Sequence, residues 1–245
     1  PSADARPTLD VLEWIQYQLD TAATVGEVIE NAEKVRIVSR VTLHYLVSDR
    51  DGNSATIEFL DGKLVTHAGG NLKVATLAND TYEKSLNYSK TVAAEKAKTE
   101  SSFDRFTRAA RKTKEFEKQQ PRTEQEAVNY AFEILSDVAQ KNSTQWSIVY
   151  DQKRGKIHFR TRLSTAIKTI DMNSFEYACG SIVKMLDINS ADSGDVTGKF
   201  SDYKRESNRD LIERSFGGTP FLRSVPSILR DAAAAAPEGF TCKKE

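Results

Sequence analysis

The spacing of apolar residues changes three times along this chain, and each change marks a different kind of element. Over residues 9–22, Val11, Leu12, Ile15 and Leu19 fall on one helical stripe, which predicts an amphipathic helix buried along that stripe. Thr24 followed three residues later by Glu27 has the form of a capping box, opening a second short helix. From Arg36 the period becomes two. Apolar and polar residues alternate through 41–47, 55–59 and 63–66, separated by turns at 49–52 and Asp61-Gly62, which predicts an antiparallel meander. A further short strand is expected over 73–77, after Gly69-Gly70. Asn79, Asp80 and Thr81 then supply cap-forming side chains for a helix running to about Ala94.

The middle of the chain returns to helical spacing. Phe103, Phe106, Ala110 and Phe116 predict one helix; Thr123 with Glu126 caps another, whose buried stripe is Val128, Phe132, Leu135 and Ala139. Strands resume at 145–150, 156–161 and 167–170, with a polar turn at 151–155. After Cys179 the pattern weakens into a segment rich in Asp, Ser and Gly, and the terminal region holds the low-complexity run Ala232 to Ala236. Two strand meanders around a helical region give an α+β class, read as one domain over residues 1–245 with no internal repeat or linker. Periodicity alone does not choose among layered α+β folds.

Composition adds mainly exclusions. The chain has 245 residues, 39% of them apolar, enough for a substantial core. Lys plus Arg and Asp plus Glu both number 35, so no basic excess points to nucleic acid. No apolar run reaches the roughly 18 residues of a membrane span. The chain opens on Pro1 without an apolar signal core, so an upstream segment is expected to have been removed, and any targeting signal with it.

Candidate chemistry is sparse. His44, His67 and His158 are the three histidines, each in or beside an expected strand with no partner at metal-ligand spacing, so neither a metal site nor a cofactor is expected. No GxSxG, Walker or GxGxxG motif is present. The secondary amine of Pro1 is a formal base, but a cut chain end is the better reading. Cys179, in a partly apolar stretch, reads as a buried inert thiol, and Cys242, in a basic tail, as exposed; neither has the setting of a nucleophile.

Four stretches, in their order and spacing, resemble the linear amide carbon-nitrogen hydrolases, the family of choloylglycine hydrolases and penicillin V acylases. They are residues 44–63 (HYLVSDRDGNSATIEFLDGK), 77–82 (LANDTY), 101–106 (SSFDRF), and the hairpin 144–150 (TQWSIVY) with 157–161 (IHFRT). The resemblance implies an N-terminal-nucleophile hydrolase with a four-layer αββα sandwich, its N-terminal strands missing. The family's mature chain begins with a Cys whose own α-amine takes the thiol proton; an amine titrating near neutrality is a competent base there. That Cys, with an Arg and an Asp soon after it, falls before Pro1.

By motif position the resemblance makes Asn79 the oxyanion donor and Arg105 the active-site arginine, selected over Arg108 by the Ser-x-x-Arg-Phe frame. The bland alternatives are that Asn79 caps the following helix and that Arg105 is a solvated helix residue, as Arg108, Arg111 and Lys112 are read to be. The segment departs from the family at Ala78, where Thr is commoner. Tyr82 and Trp14 are candidate substrate-binding aromatics, with core packing as the competing role. The implied reaction is hydrolysis of a non-peptide linear amide: penicillin V, a conjugated bile acid or an N-acyl compound. The competing readings are a non-catalytic truncated or degenerate homologue that binds an acyl ligand, and one subunit of a two-chain enzyme. The expected partners are a small-molecule amide and either further copies of the chain or the missing N-terminal segment, without nucleic acid and without a membrane span. The 14–20 run leans toward Gram-negative acylases and a periplasmic or secreted location.

Overall fold

The computed structural model describes residues 5–39, 41–119 and 123–239. Pro1 and Cys242 lie outside them. The chain opens with β1 (Thr8–Leu9), α1 (Val11–Thr21), α2 (Val25–Glu33) and β2 (Arg36–Ile37), β2 pairing in parallel with β1. Both helices start in capping boxes: Asp10 with Glu13, and Thr24 with Glu27 as expected. The stripe of α1 is a correction. Val11, Trp14 and Gln18 are its buried residues, while Leu12 and Leu19 are 66% and 74% exposed. The aromatic ring decides the rotation, because Trp14 buries more area than any Leu and stacks on Tyr45 at 4.1 Å between ring centroids.

The first meander is β3 (Tyr45–Ser48), β4 (Ser54–Leu60) and β5 (Lys63–Ala68), antiparallel in that order. Residues 41–44, expected to open its first strand, are not part of β3. Asp49 fixes the first turn by accepting from the N–H groups of Asp51 and Asn53 and from the Asn53 side chain, and it also receives Val25 N–H at the start of α2. β4 is buried from Ala55 through Glu58. Because successive side chains alternate, Ala55 and Ile57 enter the core with Trp14, Val25, Ala32 and Tyr45, while Thr56 and Glu58 take the opposite face.

The strand expected over 73–77 does not form. The N–H groups of Lys73 and Val74, which a ladder would have used, both donate to the Tyr82 hydroxyl, at 2.8 and 3.1 Å. Next come α3 (Tyr82–Thr91), α4 (Ser102–Gln119) and α5 (Glu124–Asp137). Val74, Tyr82, Leu86, Phe106 and Ala110 form a second core cluster where α3 meets α4. The Thr123–Glu126 capping box and the burial of Val128 and Phe132 in α5 follow the sequence pattern.

The second sheet contains β6 (Trp146–Asp151), β7 (Lys156–Thr161) and β8 (Lys168–Asp171), antiparallel. Farther on lie β9 (Lys184–Met185), β10 (Gly194–Asp195) and β11 (Ser201–Asp202); β10 joins the second sheet in parallel with β8, and β11 pairs with β9. The terminal region is helical, unlike its weak sequence pattern: α6 (Arg205–Gly218) and α7 (Ser227–Ala235), the latter taking in most of the alanine run. Alanine has the highest helix propensity, which accounts for that run. The α+β class expected from the sequence is the class observed.

Candidate functional site

The turn between Leu77 and α3 is where the sequence places its candidate chemistry, and four separate groups hold it. Arg105 donates from its guanidinium to the Asn79 side-chain carbonyl oxygen in a short bond, and from Nε to Glu100 O at 3.1 Å. Ser102 Oγ accepts the Asp80 N–H at 2.7 Å. Ser102 and Arg105 are three residues apart on α4 and so share one face, while Phe106 turns inward, fully buried and edge-on to Tyr82. The Ser-x-x-Arg-Phe spacing is thereby explained: two residues grip the turn and the third anchors the helix.

Glu58 and His44 supply the other two holds. Glu58 Oε1, on the polar face of β4, accepts the Tyr82 N–H at 3.1 Å and lies 3.2 Å from His44 Nδ1. His44 Nε2 meets the Ala78 carbonyl at 2.5 Å. The hydrogen bond to Glu58 raises the His44 pKa above its ordinary value, burial works against the rise, and the Ala78 carbonyl adds to it.

Asn79 therefore does not cap α3. Its side-chain oxygen is taken by Arg105, Thr81 makes no side-chain cap bond, and the first N–H of the helix is served from another element by Glu58. Asn79 is exposed and Arg105 partly so. With its oxygen engaged, the Asn79 amide is oriented with its NH2 free to donate, the property an oxyanion site requires.

Arg108 is a correction to the solvated reading. It bonds the carbonyls of Ala97, Thr99 and Asp137, tying the 97–99 segment and the end of α5 to α4. Asp104, beside Arg105, accepts from the Thr99 hydroxyl and N–H and from the Tyr88 hydroxyl; these bonds, the Thr99 hydroxyl first, hold its carboxyl below the usual range.

The two aromatic candidates part company. Tyr82 is fully buried and its hydroxyl is used by the 73–74 backbone, contacts that support the packing role. Trp14 is 1% exposed and packs in the first core, yet with Gln18, His44, Val47 and Tyr150 it also lines a groove of about 590 Å³. Among the described residues its indole Nε1 has no hydrogen-bond partner, nor has the Gln18 amide.

Cys179 is neither buried nor a free thiol: it is exposed and disulfide-bonded, which removes it as a nucleophile. Among the described residues no group of three or more His, Cys, Asp or Glu side chains is placed to hold a metal, and no helix is long and apolar enough to cross a membrane. The sequence reading missed the His44–Glu58 pair. Its signal was present, since an acidic residue in the centre of a buried strand requires a partner, but that partner is 14 residues away on a neighbouring segment.

The sequence pattern of the linear amide C-N hydrolases, choloylglycine hydrolase family, matches residues 3–185. The chain belongs to that family. Penicillin V acylase of Pectobacterium atrosepticum is 29% identical over 209 residues, which cover 71% of this chain and 55% of the relative. The chain thus spans about half the length of the curated relative it matches. Among solved structures, penicillin V acylase from Agrobacterium tumefaciens superposes with a TM-score of 0.70 at 28% identity, over 83% of this chain and 71% of that one. Conjugated bile acid hydrolase from Clostridium perfringens shares the fold, with a TM-score of 0.62 at 17% identity over 83% and 69%. The fold is that of these N-terminal-nucleophile hydrolases, and α6 and α7 lie beyond the matched residues.

Proposed function

We propose that this chain provides the charge-stabilising half of an amide-hydrolysing site whose nucleophile, a Cys at a chain terminus, comes from outside it. The observation that carries the reading is the Arg105 guanidinium clasping the Asn79 carbonyl oxygen on an accessible turn. In this scheme the thiol proton passes to the α-amine of the same Cys and the thiolate attacks the amide carbonyl. The Asn79 NH2 donates to the oxygen as it becomes negative. Collapse breaks the C–N bond, the departing amine takes the proton, and water hydrolyses the acyl-enzyme. Arg105 does two things: it fixes the Asn79 rotamer, and its permanent charge favours the thiolate.

Penicillin V is the favoured substrate over a conjugated bile acid, because the acylases stand at 28% and 29% identity and the bile acid hydrolase at 17%. Trp14, lining the groove beside His44, is the aromatic offered to an apolar acyl group.

The test compares penicillin V and glycocholate hydrolysis by the full-length gene product with its Asn79→Ala variant. Loss of one preorganised oxyanion donor lowers kcat by about 10²- to 10³-fold. A full-length protein with its Cys intact that cleaves neither substrate, or a variant that keeps full kcat, would sink the proposal.

A further inference from the structure

We infer that His44 and Glu58 form a proton-holding pair that grips both ends of the turn carrying Asn79 and thereby aims its side-chain amide. This rests on the reading of Asn79 as an oxyanion donor, and it assigns His44 and Glu58 as positioning residues for that donor.

The geometry specifies the proton. Both His44 nitrogens face acceptors: Nδ1 the Glu58 carboxyl at 3.2 Å and Nε2 the Ala78 carbonyl at 2.5 Å. A carbonyl oxygen has no hydrogen to give, so Nε2 must carry one. The Nδ1–Glu58 contact then needs a second proton between ring and carboxyl. Glu58 is 1% exposed and its Oε2 has no partner among the described residues, so an ionised Glu58 without a cation beside it would be an uncompensated buried charge. With the proton on His44, the pair neutralises Glu58 and makes both contacts charge-assisted.

The bonds land on either side of the donor. His44 holds the carbonyl of Ala78, the residue before Asn79; Glu58 holds the N–H of Tyr82, three residues after it. Asn79 and Asp80 are suspended between, with Arg105 and Ser102 gripping from α4. The charged groups around the ring are Glu58 from β4 and Asp80 from the turn; His67 of β5 packs on the Tyr82 ring, and Glu83 of α3 lies 3.9 Å from His67. The raised His44 pKa agrees with the pair. Its contribution is complete below the ordinary histidine value of about 6.5 and is lost as pH rises through the raised value. The donor is therefore held most firmly on the acid side of that range and loosens on its alkaline side.

The test uses the full-length gene product, with the His44 ring and the Asn79 side-chain amide followed by NMR across pH 5–9, and kcat and KM for penicillin V followed over the same range. Wild type should show His44 titrating above about 6.5, with the Asn79 NH2 signals moving through the same pH range. In Glu58→Gln the carboxamide still accepts the Tyr82 N–H but carries no charge, so the His44 titration should drop and the Asn79 response vanish. For Glu58→Gln and His44→Gln, kcat should fall by about 10- to 100-fold, with KM within about threefold for Glu58→Gln, the cost of misplacing a reacting group by about 1 Å. A His44 that titrates at or below the ordinary value, or Asn79 signals indifferent to it, overturns the inference even if both variants fail to fold. If the coupled titration is seen but wild type cleaves no amide, the positioning pair stands and the amidase reading falls.

Discussion

Replacing Tyr82 by Phe separates a packing residue from a ligand-binding one. The ring occupies a fully buried site against Phe106 and His67, and Phe fills the same volume, so no cavity forms. What disappears is an acceptor for Lys73 N–H and Val74 N–H and a donor to Val74 O. Val74 is 3% exposed, so its N–H is left dry and unsatisfied, at about 1–3 kcal/mol. Lys73 is exposed and recovers water, so its bond counts for only about 0.5–1.5 kcal/mol. Together these come to about 1.5–4.5 kcal/mol, a large share of a typical stability of about 5–15 kcal/mol. In urea, with a slope of about 2 kcal/mol per molar, the midpoint should move down by about 0.8–2.2 M. The assay is equilibrium unfolding of wild type and variant side by side, with KM for penicillin V measured below the transition. KM should be unchanged. A variant of wild-type stability with a raised KM would refute the assignment and return Tyr82 to the substrate site.

Gly155→Ala tests the turn between β6 and β7. Gly155 has φ +67°, and an added Cβ would come within 2.8 Å of Asn173 Nδ2, which bonds the Arg154 carbonyl. A loss of about 1–3 kcal/mol is expected on thermal unfolding, and an unchanged melting temperature would contradict the turn geometry. Acid should loosen the Asp49 and Asp104 turns. Their pKa values are lowered by hydrogen bonds, first from the Asn53 side chain and the Thr99 hydroxyl respectively, so their stabilisation is complete above the ordinary value of about 3.9 and is lost as pH falls through the lowered ones. Asp104→Asn should flatten that part of the stability-against-pH curve; a curve identical to wild type would show that Asp104 is not held by these bonds.

What could be read from the sequence was whatever depends on neighbours along the chain. The capping boxes at Thr24–Glu27 and Thr123–Glu126 are local, and so is the period-two alternation of β4, and all three stand in the structure. Asn79 and Arg105 were legible as a pair only through the resemblance of their motifs, since no spacing rule brings residues 26 apart into contact. Tertiary structure decided the rest wherever one group could satisfy a distant one. The rotation of α1 follows Trp14 onto Tyr45, not the Leu12–Leu19 stripe, because the larger ring buries more surface. The strand expected over 73–77 yields to the Tyr82 hydroxyl, which offers its N–H groups an acceptor that no neighbouring strand provides. Asn79 is free to donate because Glu58, from the middle of a sheet, takes over the helix N–H that a local cap would have served. A buried polar group must find a partner, but the chain folds that partner in from wherever it lies, and sequence distance carries no record of the choice.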